Sequence, residues 1–404
     1  MKKKRNQDAI EIQTFLDESI VRKFREAINS SRIFNNSDKH KHRYNLTCAV
    51  MDRLDSAVRY LNQHSLHPQT EEEFICFLVY SCILKDAVYK LYENVFHKLP
   101  PLKDEKIHFA NAAHYFDPIF DENTCPSDDM FFEYLRSVAF AHPFETGYRN
   151  RPFLQKGETQ CSPWVIVRSV FSDFGKNDAV GVRVYSNVKE RDLYDIQISF
   201  KAIKEYIKAR YVCLNELTEW AKGEVTEQNE QWKETKVFKS ENPIETIRSI
   251  KAVLHSRFEE THSVNIAEKY LCCELTYESN KRSVLKYREA IIAVLPRACY
   301  CVDQLDYEGL EKSLDILHVV PKKMHSNAYY QLEKIFCYLD QRSEYIEPDS
   351  NEEWGLIQAY EFSQQFAKKW VDIDIKTMSY DEIRLLVSTA CYLEAKEQAE
   401  KRKK

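Results

Sequence analysis

Glycine is almost missing from this chain: there are 7 in 404 residues, alongside 12 prolines. A typical soluble chain carries roughly 7% glycine and 5% proline, so the two residues that most readily interrupt helices are both scarce. The scarcity excludes Gly-rich sandwiches, doubly wound nucleotide folds and long flexible linkers, and it predicts long helices. It is also uneven. Gly147, Gly157, Gly175 and Gly181 fall within 35 consecutive residues, which marks the one region where the chain should stop being helical.

The length allows two or three domains at ~100 to 200 residues each, and 44% apolar with 13% aromatic residues is ample for a core. The net charge of -5 is not the broadly basic footprint of a protein that binds nucleic acid by bulk electrostatics. No run of 18 apolar residues occurs, and no apolar segment follows the basic Lys2, Lys3, Lys4 and Arg5. No transmembrane helix or signal peptide is therefore expected. The twelve cysteines fall mostly at apolar helical positions, and the expectation is a cytoplasmic protein with reduced thiols.

Residues 1–41 read as an N-terminal helical extension. From Tyr44 the apolar residues fall at Leu46, Val50, Leu54, Ala57, Val58 and Leu61, one face of a helix ending near His64. Thr70 and Glu73 form a capping box for a second helix, apolar nearly all round, that runs to Lys98 and stops at Pro100 and Pro101. Ser127, Asp128 and Asp129 suit an N-cap and acidic first turn for a third helix over Met130–Ala141. Valine- and aromatic-rich stretches at Trp164–Phe171 and Ala179–Tyr185 predict a β-hairpin, with a third strand at Leu193–Ile198. A fourth helix follows from Ala202 to Trp220, with Gly223 as its C-cap. Residues 224–241 are polar and read as a linker. Asn242, Pro243 and Glu245 then restart a helical pattern that lasts to the C-terminus.

The expected architecture is mainly α: a four-helix bundle over 42–223 with a β-hairpin insertion at 164–198, then an all-α domain over 242–404. No metal site is expected, because Cys272 with Cys273 and Cys299 with Cys301 lack the gap that lets two thiolates share one ion. No Gly-rich phosphate loop is present, and no cofactor is expected.

The segment from Phe131 to Pro143 embeds one arginine and one histidine in an otherwise mostly apolar helix. Arg136 and His142, with Ser137 directly after the arginine, resemble the R-x4-6-H motif of the HEPN (higher eukaryotes and prokaryotes nucleotide-binding) superfamily. Arg59 with His64, Arg248 with His255, and Arg257 with His262 also match that spacing. Of these, only Arg248 is followed by a small polar residue, Ser249, which makes Arg248 and His255 the rival pair. The resemblance extends loosely to the four-helix layout and does not reach the C-terminal half.

The resemblance implies a metal-independent endoribonuclease, a toxin or phage-defence (abortive infection) effector of the prokaryotic kind. His142 would act as general acid or base at the ribose 2′-hydroxyl, Arg136 would hold the scissile phosphate, and Ser137 would orient either group. Two protomers would compose the site as a homodimer, and an antitoxin or defence-system protein would be a partner. The acidic stretch Asp117–Glu145 has seven acidic residues against one basic. The RNA-facing wall is therefore assigned to the next segment, through Arg149, Arg151, Lys156 and Arg168 with Tyr148 and Trp164 interleaved. The competing interpretation is a non-catalytic helical scaffold or sensor that binds a partner protein. Arg136 would then pair structurally with a carboxylate such as Glu133, and His142 would cap its helix.

Overall fold

The computed structural model describes residues 14–110, 125–147, 154–167, 178–188, 193–340 and 348–403. The protein is mainly helical with a small antiparallel sheet. It divides into two compact units, Met1–Val225 and Thr226–Lys404.

Unit 1 begins with α1 (Glu18–Asn29) and the short α2 (Ile33–Asn36), which lead into α3 (Lys41–Gln63) and α4 (Glu71–Phe96). The Thr70 hydroxyl caps α4 by accepting the Glu73 N–H at 3.2 Å. Glu73 reaches back to the Gln69 N–H at 2.6 Å, one residue earlier than the usual capping box. α4 ends where His97 turns into the left-handed region (φ 55°), ahead of Pro100. Its buried stripe includes Phe74, Phe77, Leu78, Leu84, Val88 and Leu91, and it packs on α3. Burying so many large side chains on one helix makes it the centre of the unit's core, at roughly 1.5–3 kcal/mol each.

α5 (Asp128–Arg136) starts on Ser127, whose hydroxyl accepts the Met130 N–H at 3.3 Å. The helix expected to run on to Ala141 changes character instead. Residues Ser137–Ala141 form a π-helical turn closed by the bond from His142 N–H to the Ser137 carbonyl, 2.8 Å.

The sheet is larger than the expected hairpin. It contains β1 (Thr146–Gly147), β2 (Thr159–Cys161), β3 (Val165–Ile166), β4 (Ala179–Ser186) and β5 (Leu193–Ser199). β4 is the central strand: β5 pairs along it in the register Val182↔Ile196, while β2 pairs with its C-terminal end at Tyr185 and Ser186 and β3 with Gly181 and Val182. The expected partner of β4, Trp164–Phe171, contributes only the two residues of β3 among the described positions. Val180, Val182 and Val184 are fully buried on alternate positions, the period-2 pattern that fixes register.

α6 (Phe200–Val212) and α7 (Leu214–Glu234) complete this part of the chain. The Gly223 C-cap is not observed: α7 runs through Gly223 to Glu234, so more than half of the stretch expected as a linker, 224–241, is helix. Val237 beyond it is buried. Glutamate, glutamine and lysine dominate that stretch. They are polar and also good helix formers, and polarity alone does not distinguish a linker from a solvated helix.

Unit 2 holds α8 (Pro243–Ser256), α9 (His262–Cys272), α10 (Lys281–Asp303), α11 (Tyr307–Leu314), α12 (Ala328–Tyr338), α13 (Pro348–Gln365) and α14 (Tyr380–Lys403). α10 packs against α8, α11 and α14 around Tyr287, Ile291, Leu295 and Val302. Arg257 is wholly buried and donates to the carbonyls of Val302, Trp232 and Thr235 at 2.6–2.7 Å. It satisfies the open C-terminal ends of two helices, so its place in the Arg257–His262 match is structural.

Candidate functional site

α4, α5 and the π turn place a charged cluster beside Arg136. Lys85 of α4 is buried, and its ammonium contacts one oxygen of Glu133. The other Glu133 oxygen accepts from a terminal guanidinium nitrogen of Arg136 at 3.1 Å. Lys85 also lies 5.8 Å from the ring centroids of Tyr89 and Phe132, and Asp86 stands 3.6 Å away. The Arg136 side chain keeps 42% of its exposure. A guanidinium has five N–H donors, and the Glu133 contact uses one nitrogen, so the fork is oriented without being consumed.

Burial works against the Glu133 charge, yet Lys85 and Arg136 outweigh it and hold the carboxyl below its ordinary value. Burial works against the Lys85 charge as well, and Glu133 more than offsets it, leaving the ammonium above its usual value. Cys82, buried next to this cluster, has its thiol pushed up to about 12 by burial and by Glu133. That thiol is protonated near neutrality and is no nucleophile.

His142 is exposed and terminates the π turn with φ -142° and ψ 54°. Its carbonyl accepts from the Thr146 hydroxyl at 2.9 Å and from the Glu145 N–H at 3.2 Å. Pro143 follows, its carbonyl accepting the Ser162 N–H at 2.6 Å, and Phe144 is 83% exposed. The histidine therefore sits on a turn tied at both sides to the sheet. A second tie joins α5 to the sheet through buried polar groups. The Tyr134 hydroxyl donates to Gln160 at 2.7 Å, and Gln160 and Ser186 both donate to Glu158, at 2.7 and 2.9 Å. Such buried networks hold elements in one arrangement when each member is satisfied.

On a regular helix, residues six apart lie roughly 120° out of line. The π turn occupies the whole interval between Arg136 and His142, so that estimate does not apply to this pair. Ser137 is buried, its N–H bonded to the Glu133 and Tyr134 carbonyls.

The base of α5 is anchored separately. Arg210 of α6 is fully buried and donates through two nitrogens to one Asp129 oxygen, at 2.9 and 3.1 Å, while the Tyr206 hydroxyl donates to the same oxygen at 2.8 Å. Asp128 accepts the N–H groups of Ile107, His108 and Phe109 at 2.9–3.1 Å. Glu105, His108 and Asp128 bring three ligand-type atoms within 4.8 Å of one another among the described residues. Both Asp128 oxygens already hold backbone amides, which assigns that carboxylate to closing the turn.

The other sequence candidates are placed differently. Arg248 is exposed and paired to Glu268 at 2.8 Å, with His255 exposed farther along the same helix. Trp164 is exposed, with the Arg183 guanidinium 5.4 Å from its ring centroid. Arg183 is itself bidentate to Asp195 at 2.7 and 2.8 Å. Lys156 is exposed in the turn before Gly157. Tyr148, Arg149, Arg151 and Arg168 lie outside the described residues.

Sequence reasoning missed Lys85. The signal was available: it stands on the stripe Leu78, Cys82, Lys85, Tyr89 and Tyr92, otherwise uncharged, and the structure buries all five. A lysine on such a stripe calls for a carboxylate partner from a neighbouring helix. Comparison with family models, with curated proteins and with solved structures finds no match to this chain.

Proposed function

We propose that this chain is a metal-independent endoribonuclease of the HEPN type, acting as a toxin or phage-defence effector on RNA. The observation that carries the reading is the partly exposed Arg136, held by the Lys85–Glu133 pair and followed by a π turn that ends on the exposed His142. Single π turns recur at functional sites, and a charged group fixed by its neighbours yet open to solvent is suited to bind an anion. In this reading His142 takes the proton of a ribose 2′-hydroxyl or delivers one to the leaving oxygen. The 2′-oxygen attacks phosphorus and the bond to the 5′-oxygen breaks. The products are a 2′,3′-cyclic phosphate and a free 5′-hydroxyl, and Arg136 stabilises the charge gathered on the phosphate oxygens. A homodimer would supply two such pairs, and an antitoxin or defence-system protein would restrain them.

The test is cleavage of tRNA and total RNA by purified protein in EDTA, comparing wild type with Arg136→Ala and His142→Ala. Both variants should lose cleavage while keeping the wild-type melting temperature to within a few degrees. Cleavage that persists in both would reject the pair, and the same substitutions at Arg248 and His255 test the rival.

The Arg136–Glu133 contact also supports a second reading, a non-catalytic scaffold or sensor in which the ion pair is structural. Under it, no RNA is cut, and Arg136→Ala lowers the melting temperature without changing any activity.

A further inference from the structure

The corner between α2 and α3 buries a histidine, His40, which keeps 5% of its exposure. Its ring packs against Phe34 of α2 and Trp220 of α7, with centroids 5.2 and 5.9 Å away, and those two rings stand 5.8 Å from each other. Nε2 lies 3.1 Å from one oxygen of Glu224 on α7, and the exposed Lys39 ammonium reaches the same oxygen at 2.5 Å. Nδ1 is buried and has no hydrogen-bond partner. The cavity beside the ring measures about 20 Å³, enough for one water molecule.

This arrangement suits a neutral imidazole. With its proton on Nε2 the ring donates to Glu224, and Nδ1 is left as an acceptor. A second proton, on Nδ1, would place a charged N–H among apolar rings where the described residues offer no acceptor. The surrounding charges do not compensate. Glu224 is shared with Lys39, Arg43 stands one turn on in α3, and Asp38 is turned to Lys41. Tyr44 also lines the cavity, and α1 and α4 contribute Ile28, Leu91, Asn94 and Val95, none of them charged. Burial, together with Lys39 and Arg43, outweighs Glu224 and holds the imidazole below its ordinary 6.5. Once the corner opens, the ring returns to water and takes up a proton at its ordinary value, so protons favour the open form. The grip is complete above about 6.5 and weakens as the pH falls below it.

We propose that His40 is an acid-released latch, a neutral ring that ties the α2–α3 corner to α7 and lets go when it is protonated. It grips α7 at Glu224, next to the division of the chain at Val225. The proposal is independent of the catalytic reading of Arg136 and His142.

The test is hydrogen exchange of the full chain, read by mass spectrometry at about pH 7.5 and about pH 5.5 and corrected for the intrinsic pH dependence of amide exchange. In wild type, protection of residues 33–50 should fall about three- to ten-fold between the two, ten-fold being the most that one proton allows one pH unit below 6.5. Protection of α10 in the second unit should not change. His40→Gln, whose amide can still donate to Glu224 and does not titrate, should show no such fall. Glu224→Gln removes the carboxylate that partly offsets a charge on the ring, and its fall should be at least as large as that of wild type. Constant protection in wild type, an equal fall in His40→Gln, a smaller fall in Glu224→Gln, or a fall shared by α10 would overturn the proposal.

Discussion

Asp129 and Glu133, one helical turn apart on α5, neutralise cations in opposite ways. Asp129 faces the fully buried Arg210, whose charge has no access to water. Asp129→Asn should therefore cost about 3–5 kcal/mol, the usual penalty for stranding a buried charge. Urea unfolding measures it, and a loss under about 1 kcal/mol would contradict this account of α5's anchoring. Glu133 is more exposed, and its contribution depends on pH. Its folded carboxyl lies below the ordinary glutamate value of about 4.5 because Lys85 and Arg136 outweigh burial. The stabilisation is complete above that value and is lost as pH falls through the lowered folded value. The urea midpoint of wild type should therefore drop towards that of Glu133→Gln as the solution is acidified below about 4.5. Parallel midpoints across that range would contradict the assignment. Arg136 and His142 are legible in the sequence as residue types in a mostly apolar helix. Their surroundings are not, because the Lys85 contact joins residues 48 apart in the chain.

At the scale of elements, the π turn is the feature that sequence patterning cannot read. Phe131, Phe132, Leu135, Val138 and Ala139 are buried, and their spacing is that of an ordinary α-helix. An apolar period of three or four residues is the same whether the last turn closes on the fourth or the fifth residue. A π turn holds one residue more than an α turn, so inserting a further alanine after Ala139 should turn His142 by about 100° relative to Arg136. The helical circular dichroism should persist while cleavage is lost, and retained cleavage would show that the direction of His142 from this turn is immaterial. The α12–α13 pair depends on a different local feature. A Cβ on Gly355 would stand 3.0 Å from both the Tyr338 Cβ and a Leu339 methyl. Gly355→Ala should separate the two helices at a cost of about 1–3 kcal/mol, measured by urea unfolding. Wild-type stability in this variant would show that the helices adjust freely. Several helix starts are legible because side-chain caps mark them, as Thr70, Ser127 and Asn242 do. The strands are legible at β4 and β5, whose alternating valines and isoleucines bury one face, and in part at β3, which lies inside the expected Trp164–Phe171 strand. β1, β2 and β3 are two or three residues long, too short to display a period.

For the whole molecule, the scarcity of glycine reads as a mainly helical chain, and the division into two units falls at Val225, inside the helix Leu214–Glu234. The glycine cluster marks the sheet, and the sheet holds the His142 turn through Pro143 and Thr146. What composition could not convey is that Arg136 is partly exposed and His142 exposed to solvent while Lys85, Ser137 and Thr146 beside them are buried. The proposed ribonuclease activity rests on the Arg136 and His142 side chains. The decisive measurement is cleavage, in EDTA, of one RNA and of its copy with a single 2′-deoxy substitution at the cut position, by wild type, Arg136→Ala and His142→Ala. Wild type should cut only the unmodified strand, leaving a 2′,3′-cyclic phosphate, and neither variant should cut. Cleavage of the 2′-deoxy strand at that position, or undiminished cleavage by either variant, would rule out Arg136 and His142 as the pair that cuts RNA.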